Sequence, residues 1–155
     1  MHRGGGRDLL GQSSVRLGAG LVDSAAMTAY AITNFKDIDG SSTPNPDREA
    51  KFARSHIGSE HLGVSYFKYG PNFHATGGHS HGEQEEVYVV VSGSGRVKLD
   101  DEIIELKQWD VVRVSPPVVR AFEGGPEGME LVIAATDRPE GGDGVRVDDF
   151  WPEDA

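Results

Sequence analysis

From residue 62 to residue 135 the chain is a series of short segments rich in β-branched residues. These are LGVSYFKY (62–69), EEVYVVV (85–91), RVKL (96–99), EIIEL (102–106), DVVRV (110–114), VVRAF (118–122) and MELVIAA (129–135). Turn chemistry stands between them: Gly93-Ser94-Gly95, Asp100-Asp101, Pro116-Pro117 and Gly124-Gly125-Pro126. Short strands at steady spacing with such punctuation specify an antiparallel sandwich or barrel. No stretch after residue 50 keeps a helical period, and nothing repeats on the scale of a solenoid unit. The expected fold class is therefore all-β.

A length of 155 residues fits one domain with a core of its own. The chain has no cysteine, so disulfides, thiolate metal sites and a cysteine nucleophile are excluded. Twenty-five acidic against fifteen basic residues give a formal charge of −10, which argues against a nucleic-acid partner. The longest apolar runs, such as Val87–Val91, have five residues, too few for a membrane helix. The expected address is the cytoplasm. Residues 1–26, rich in Gly, Ser and Arg, read as a disordered extension, or as sequence before a native start at Met27. Residues 27–140 read as the barrel, with Tyr30–Ile38 able to pair at a sheet edge and 40–49 as a loop. Residues 141–155 form an acidic tail whose Phe150-Trp151 pair is expected to dock on the barrel or on a partner subunit.

The chemistry gathers in GGHSHGEQEEVYVVVSGSG, residues 77–95. Alternate residues of a strand face one side, so His79 and His81 would point together. Glu86 shares a face with Tyr88 and Val90, while Val87, Val89 and Val91 take the other. Both faces are apolar beyond Glu86, so both should be covered: one by a barrel interior, the other by a second layer or subunit. Two imidazoles and a carboxylate form a ligand set for Zn²⁺, Mn²⁺, Fe²⁺ or Ni²⁺. On spacing alone a polar, solvated loop is the competing reading. There is no P-loop, no nucleophile elbow, no dinucleotide fingerprint and no metalloprotease motif.

His79-x-His81, four residues, Glu86, six residues, Gly93 resembles the first motif of the cupin superfamily. QWDVVRVSPPVVRAF, residues 108–122, resembles the second, with Trp109-Asp110 for its Gly-Asp step and Pro116-Pro117 for its proline turn. The resemblance covers about residues 60–135. It implies a small double-stranded β-helix, or jelly-roll barrel, with a ligand pocket inside. Three departures stand out. Asn72 takes the place of the leading glycine, Pro117 that of the glycine after the proline turn, and Arg120 that of the third metal histidine. A guanidinium is a permanent cation with donors only, so Arg120 cannot ligate a metal. It would pair with Glu86 inside the barrel, or bind the carboxylate or phosphate of a small ligand.

Three readings follow: a mononuclear metal enzyme, a binding module for a small polar or anionic ligand, and a structural or regulatory barrel. The candidate metal ligands are His79, His81 and Glu86, with His74 as a nearby donor. The candidate ligand-binding residues are Arg120, His79, His81 and Tyr88. By resemblance to many cupins a homodimer is expected, through the Val87, Val89 and Val91 row together with Phe150 and Trp151.

Overall fold

The computed structural model describes residues 16–17, 30–40 and 45–152. The expected disordered extension, 1–26, lies outside these residues except for Arg16–Leu17. These form strand β1, which pairs antiparallel with β2 (Ala31–Ile32). Eight further strands make one curled sheet: β3 (Arg48–Phe52), β4 (Gly63–Tyr69), β5 (Gly78–His81), β6 (Glu86–Leu99), β7 (Glu102–Lys107), β8 (Val111–Val114), β9 (Arg120–Ala135) and β10 (Gly144–Val147). A single helical turn, α1 (Arg54–Ile57), follows β3.

The architecture rests on two long strands, β6 and β9, paired antiparallel along their whole length. The first half of β6 lies against the second half of β9, with Tyr88 opposite Ile133. Its second half lies against the first half of β9, with Val97 opposite Phe122. On one side this ribbon is extended by β4 and β3 and by β8. On the other it is extended by β5 and β10 and by β7. Both long strands thus pass from one layer to the other, which produces a jelly-roll barrel. The fold class expected from the strand pattern is the one present.

The corners correct two details of the sequence reading. Gly93-Ser94-Gly95 does not end a hairpin. It lies inside β6, where the register with β9 shifts between Val90 and Ser92 and again between Gly93 and Gly95. Gly124-Gly125-Pro126 likewise lies inside β9. The glycines serve close approach rather than chain reversal. Gly93 has φ 72°, and a β-carbon there would run into the Gly128 carbonyl oxygen. Such bulges bend a strand and increase its twist, as a barrel corner requires.

Inward-facing residues follow the two-residue period. Tyr88 and Val90 of β6 meet Leu131 and Ile133 of β9, all at most 3 % exposed. Burying one such aliphatic side chain contributes roughly 1.5–3 kcal/mol. On the other face Val87, Val89 and Val91 are half-buried.

Four residues other than glycine, Asn72, Asp100, Trp109 and Asp149, keep a left-handed backbone, and two of them fall in the motifs read from the sequence. Asn72 has φ 53°, a conformation asparagine tolerates. Trp109 has φ 73° at the third position of the turn 107–110, where a type II turn calls for glycine.

The polar ends contribute strands that the pattern does not announce. Strand β3 begins inside the loop read over 40–49. Strand β10, in the segment read as tail, pairs with β5 in the register Gly144 to His81. Past it, Trp151 is 3 % exposed, stacks on His74 at 5.3 Å and donates its backbone N–H to the Thr76 carbonyl. Phe150 presses on Gly78, where a β-carbon would come within 2.6 Å of its ring. The segment after β10 thus lies along the back of the strand that carries both motif histidines.

Candidate functional site

Strand β5 presents His79 and His81 on one face, and Glu86 opens β6 beside them. One donor atom from each of the three lies within 4.8 Å of the others. His79 Nε2 is 3.6 Å from Glu86 Oε2, and His81 Nε2 is 3.6 Å from Glu86 Oε1. Two donors each about 2.1 Å from a common ion stand roughly 3–4 Å apart, so this spacing suits a cation between them. His81 Nε2 is buried and has no hydrogen-bond partner. An orphaned buried nitrogen is costly unless something binds it.

The other nitrogen of His81 is held. Its Nδ1 lies 2.8 Å from Asp143 Oδ1. Oδ2 of Asp143 accepts the backbone N–H groups of Glu83 and Gln84, at 2.7 and 2.9 Å. Burial pushes the Asp143 carboxyl up, but those two N–H bonds and His81 outweigh it and hold it below the usual carboxylate range. A carboxylate behind a histidine fixes the tautomer and turns the far nitrogen outward, as metal-binding histidines require. Sequence reasoning missed Asp143. It sits in a Gly-Gly-Asp-Gly stretch that reads as a turn, 62 residues from its partner.

Glu86 is supported from behind by two residues. Tyr88, 2 % exposed, donates its hydroxyl to Oε2. Arg120, 0 % exposed, reaches the same oxygen from Nη2 at 2.9 Å and from Nε at 3.2 Å. The Nη1 of Arg120 lies near the carbonyl oxygens of Val118 (2.8 Å), Pro116 (3.1 Å) and His79 (3.5 Å). Of the two partners the sequence offers Arg120, the structure therefore shows Glu86. Burial pushes the Glu86 carboxyl up, but His79, Tyr88 and the Arg120 charge outweigh it and lower it to about 2. Tyr88, crowded by burial and by that carboxylate, has its hydroxyl pushed well above the usual range.

Oε2 of Glu86 is thus engaged by protein, while Oε1 faces His81. In direct contact with the three donors, two carboxylates, Glu86 and Asp143, are paired with His81 and Arg120, while Arg48 and Arg138 lie further along the cavity wall. The unpartnered His81 Nε2 and the Glu86 Oε1 that faces it fit a divalent cation held by His79, His81 and Glu86. His74 is not part of this group. Its ring lies against Trp151, and its Nδ1 is buried without a hydrogen-bond partner. His56 and His61 lie elsewhere, the first near the Phe52 carbonyl and the second beside Glu60 and Asp137.

All three donors line a cavity of about 850 Å³, with Phe67, Ile133 and Arg48 among the other walls. A smaller one of about 210 Å³ adjoins it and shares Arg48, Phe67 and His79. Metabolite-sized ligands occupy cavities of this order.

Comparison with solved structures places this barrel among known folds. A cupin-2 domain protein from Rhodospirillum rubrum superposes with a TM-score of 0.56 at 14 % identity, over 68 % of this chain and 73 % of that one. The chain has the cupin fold. The polyketide cyclase RemF from Streptomyces resistomycificus superposes at 0.61 with 19 % identity, over 79 % and 87 % of the two chains. An oxalate decarboxylase from Lactobacillus farciminis superposes at 0.62 with 14 % identity, over 74 % of this chain and 35 % of that larger one. No family model matches the sequence, and no curated protein matches it. Among cupin barrels, then, stand enzymes of different chemistry, and the fold does not choose between them. No helix among the described residues is long and apolar enough to cross a membrane.

Proposed function

We propose that this cupin barrel binds a small polar molecule in its main cavity, beside a divalent metal ion held by His79, His81 and Glu86. The observation that carries the reading is the convergence of three donors within 4.8 Å on the cavity wall, with His81 Nε2 buried and unpartnered. Three protein ligands leave coordination positions open toward the cavity. Bound there, the ion would supply Lewis-acid chemistry, polarising an oxygen of the ligand. The chain's own residues divide the remaining work. Asp143 orients His81. Tyr88 and Arg120 hold Glu86 ionised and aim Oε1 forward. Phe67 and Ile133 give the ligand an apolar wall. The enzymes among the structural neighbours support a catalytic version of this reading without naming its reaction.

The ion is among Zn²⁺, Mn²⁺, Fe²⁺ and Ni²⁺, the metals that imidazole and carboxylate donors accept. Elemental analysis of purified protein loaded with each in turn tests the reading. One tightly held equivalent in wild type, lost in His81→Ala, supports it. Equal metal content in the two proteins would remove His81 from the ligand set and, with it, the proposed site.

A further inference from the structure

Seven arginines have described side chains, and five of them stand against a carboxylate. Arg54 meets Asp137, Arg96 meets Glu123, Arg113 meets Glu85, Arg120 meets Glu86 and Arg146 meets Asp148. Among the described residues, Arg48 and Arg138 make no such pair. In a chain with ten more acids than bases, an arginine without an acid is conspicuous. Both line the same cavity, the one that holds His79, His81 and Glu86.

Arg48 is the better placed of the two. It opens β3 on the face of Ala50, which is 4 % exposed and lies opposite Phe67. The neighbouring charges of β3, Glu49 and Lys51, pair with each other at 3.0 Å on the other face. The Arg48 guanidinium lies 5.2 Å from the centre of the Phe67 ring and 6.0 Å from that of Tyr69. The Phe67 face and a side-chain hydrogen bond with Tyr69 hold the guanidinium in place, and no carboxylate among the described residues pairs with it. Arg48 also lines the smaller cavity, where His79 and Tyr88 are neighbours. Arg120, which guanidinium chemistry offers as an anion anchor in place of the third histidine, is fully buried and engaged by protein oxygens.

We infer that the cavity takes a small organic anion and that Arg48 is the group that meets its carboxylate. Arg138 adds a second positive charge to the cavity wall. A focused pair of cations in an otherwise acidic surface draws an anion to one place rather than to the protein at large. This rests on the reading of the main cavity as the ligand site and is independent of the metal.

The test uses the full chain and two probes of one shape, benzoate and neutral benzamide, titrated by ¹H–¹⁵N NMR. Zinc binding is measured on the same samples. Wild type should bind benzoate at least tenfold more tightly than benzamide, with the Arg48 Nε–H signal moving. Arg48→Met keeps the stem that packs on Phe67 and should reduce the preference to less than twofold. Arg48→Lys should retain part of it. Equal affinity for the two probes in wild type, including no measurable binding of either, overturns the inference, as does full preference in Arg48→Met. A wild type that prefers benzoate but binds no zinc removes the metal and leaves the anion site. A variant that keeps the preference while zinc binds normally does the reverse.

Discussion

Arg120 and Glu86 meet inside the barrel, with Nη2 2.9 Å and Nε 3.2 Å from Oε2, and the guanidinium is sealed from solvent. The cupin resemblance gives this position to a third metal histidine, and here it carries a cation that engages one of the two carboxylate oxygens, Oε2. Buried ion pairs are weak stabilisers when intact and strong destabilisers when halved. In protein stripped of metal by chelator, Arg120→Ala should therefore cost roughly 3–5 kcal/mol. Glu86→Leu with Arg120→Met should recover much of that loss. Denaturant melts of wild type, two singles and the double give the coupling directly. Strict additivity would mean that the two side chains do not support each other in solution.

Glu86, lowered by His79, Tyr88 and Arg120 together, gives the metal-free protein a pH dependence. The folded Glu86 carboxyl is lowered to about 2, from an ordinary glutamate value of 4.5. Its contribution to stability is complete above about 4.5 and is lost as the pH falls toward 2. Glu86→Gln should flatten the stability profile over that window. An unchanged acid slope would show that other carboxylates carry it.

Asp143 should matter to metal binding without being a ligand. Removing a carboxylate that orients a metal-binding histidine typically lowers affinity about 10- to 100-fold. Asp143→Ala should show a loss of that size in a zinc competition titration. It should also shift the His81 ring ¹⁵N signals in metal-free protein, since the tautomer is no longer fixed. Zinc affinity and ring signals like those of wild type would make Asp143 only a cap for the Glu83 and Gln84 amides.

Strand content was readable because it rests on β-branched runs, and the pattern over 62–135 gave the layers. It placed the turns at Asp100-Asp101 and Pro116-Pro117 correctly and two glycine-rich corners wrongly, since a glycine that permits close approach looks the same in sequence as one that permits a turn. Strands β3 and β10 escaped because polar and glycine-rich residues form them, held by register with β4 and β5 rather than by propensity. In the site, His79, His81 and Glu86 were legible through local spacing. Arg120 was legible only through the family register, which places a residue across the barrel. Asp143 and Arg48 were not legible, because each meets the site through a strand pairing that no local motif encodes.

Trp109 bears a conformational cost that glycine would not. A left-handed backbone costs a side-chain-bearing residue about 1–2 kcal/mol. Trp109 is 69 % exposed, so little packing is lost with its ring. Trp109→Gly should leave thermal stability equal or raise it by about 1 kcal/mol, after the entropy of glycine is set against the relieved strain. A clear loss would show that the indole packs against a partner.

Assembly as a homodimer remains a proposal, but Phe150 and Trp151, expected in its interface, pack instead on their own barrel against Gly78 and His74, which leaves the valine face. Val111, 65 % exposed, lies beside half-buried Val89 in register on the outer face, with Trp109 close by in the chain. Light scattering at micromolar concentration should give twice the 16.7 kDa chain mass, and Val111→Lys should halve it. A monomer mass for wild type would count against the dimer.

Anomalous diffraction from crystals grown with Zn²⁺, recorded on both sides of the zinc absorption edge, would reveal the proposed metal. One strong peak is expected beside Nε2 of His79, Nε2 of His81 and Oε1 of Glu86, with Arg120 still on Oε2. No peak among these three side chains, or an ion bound elsewhere with His81 Nε2 still unpartnered, would contradict it.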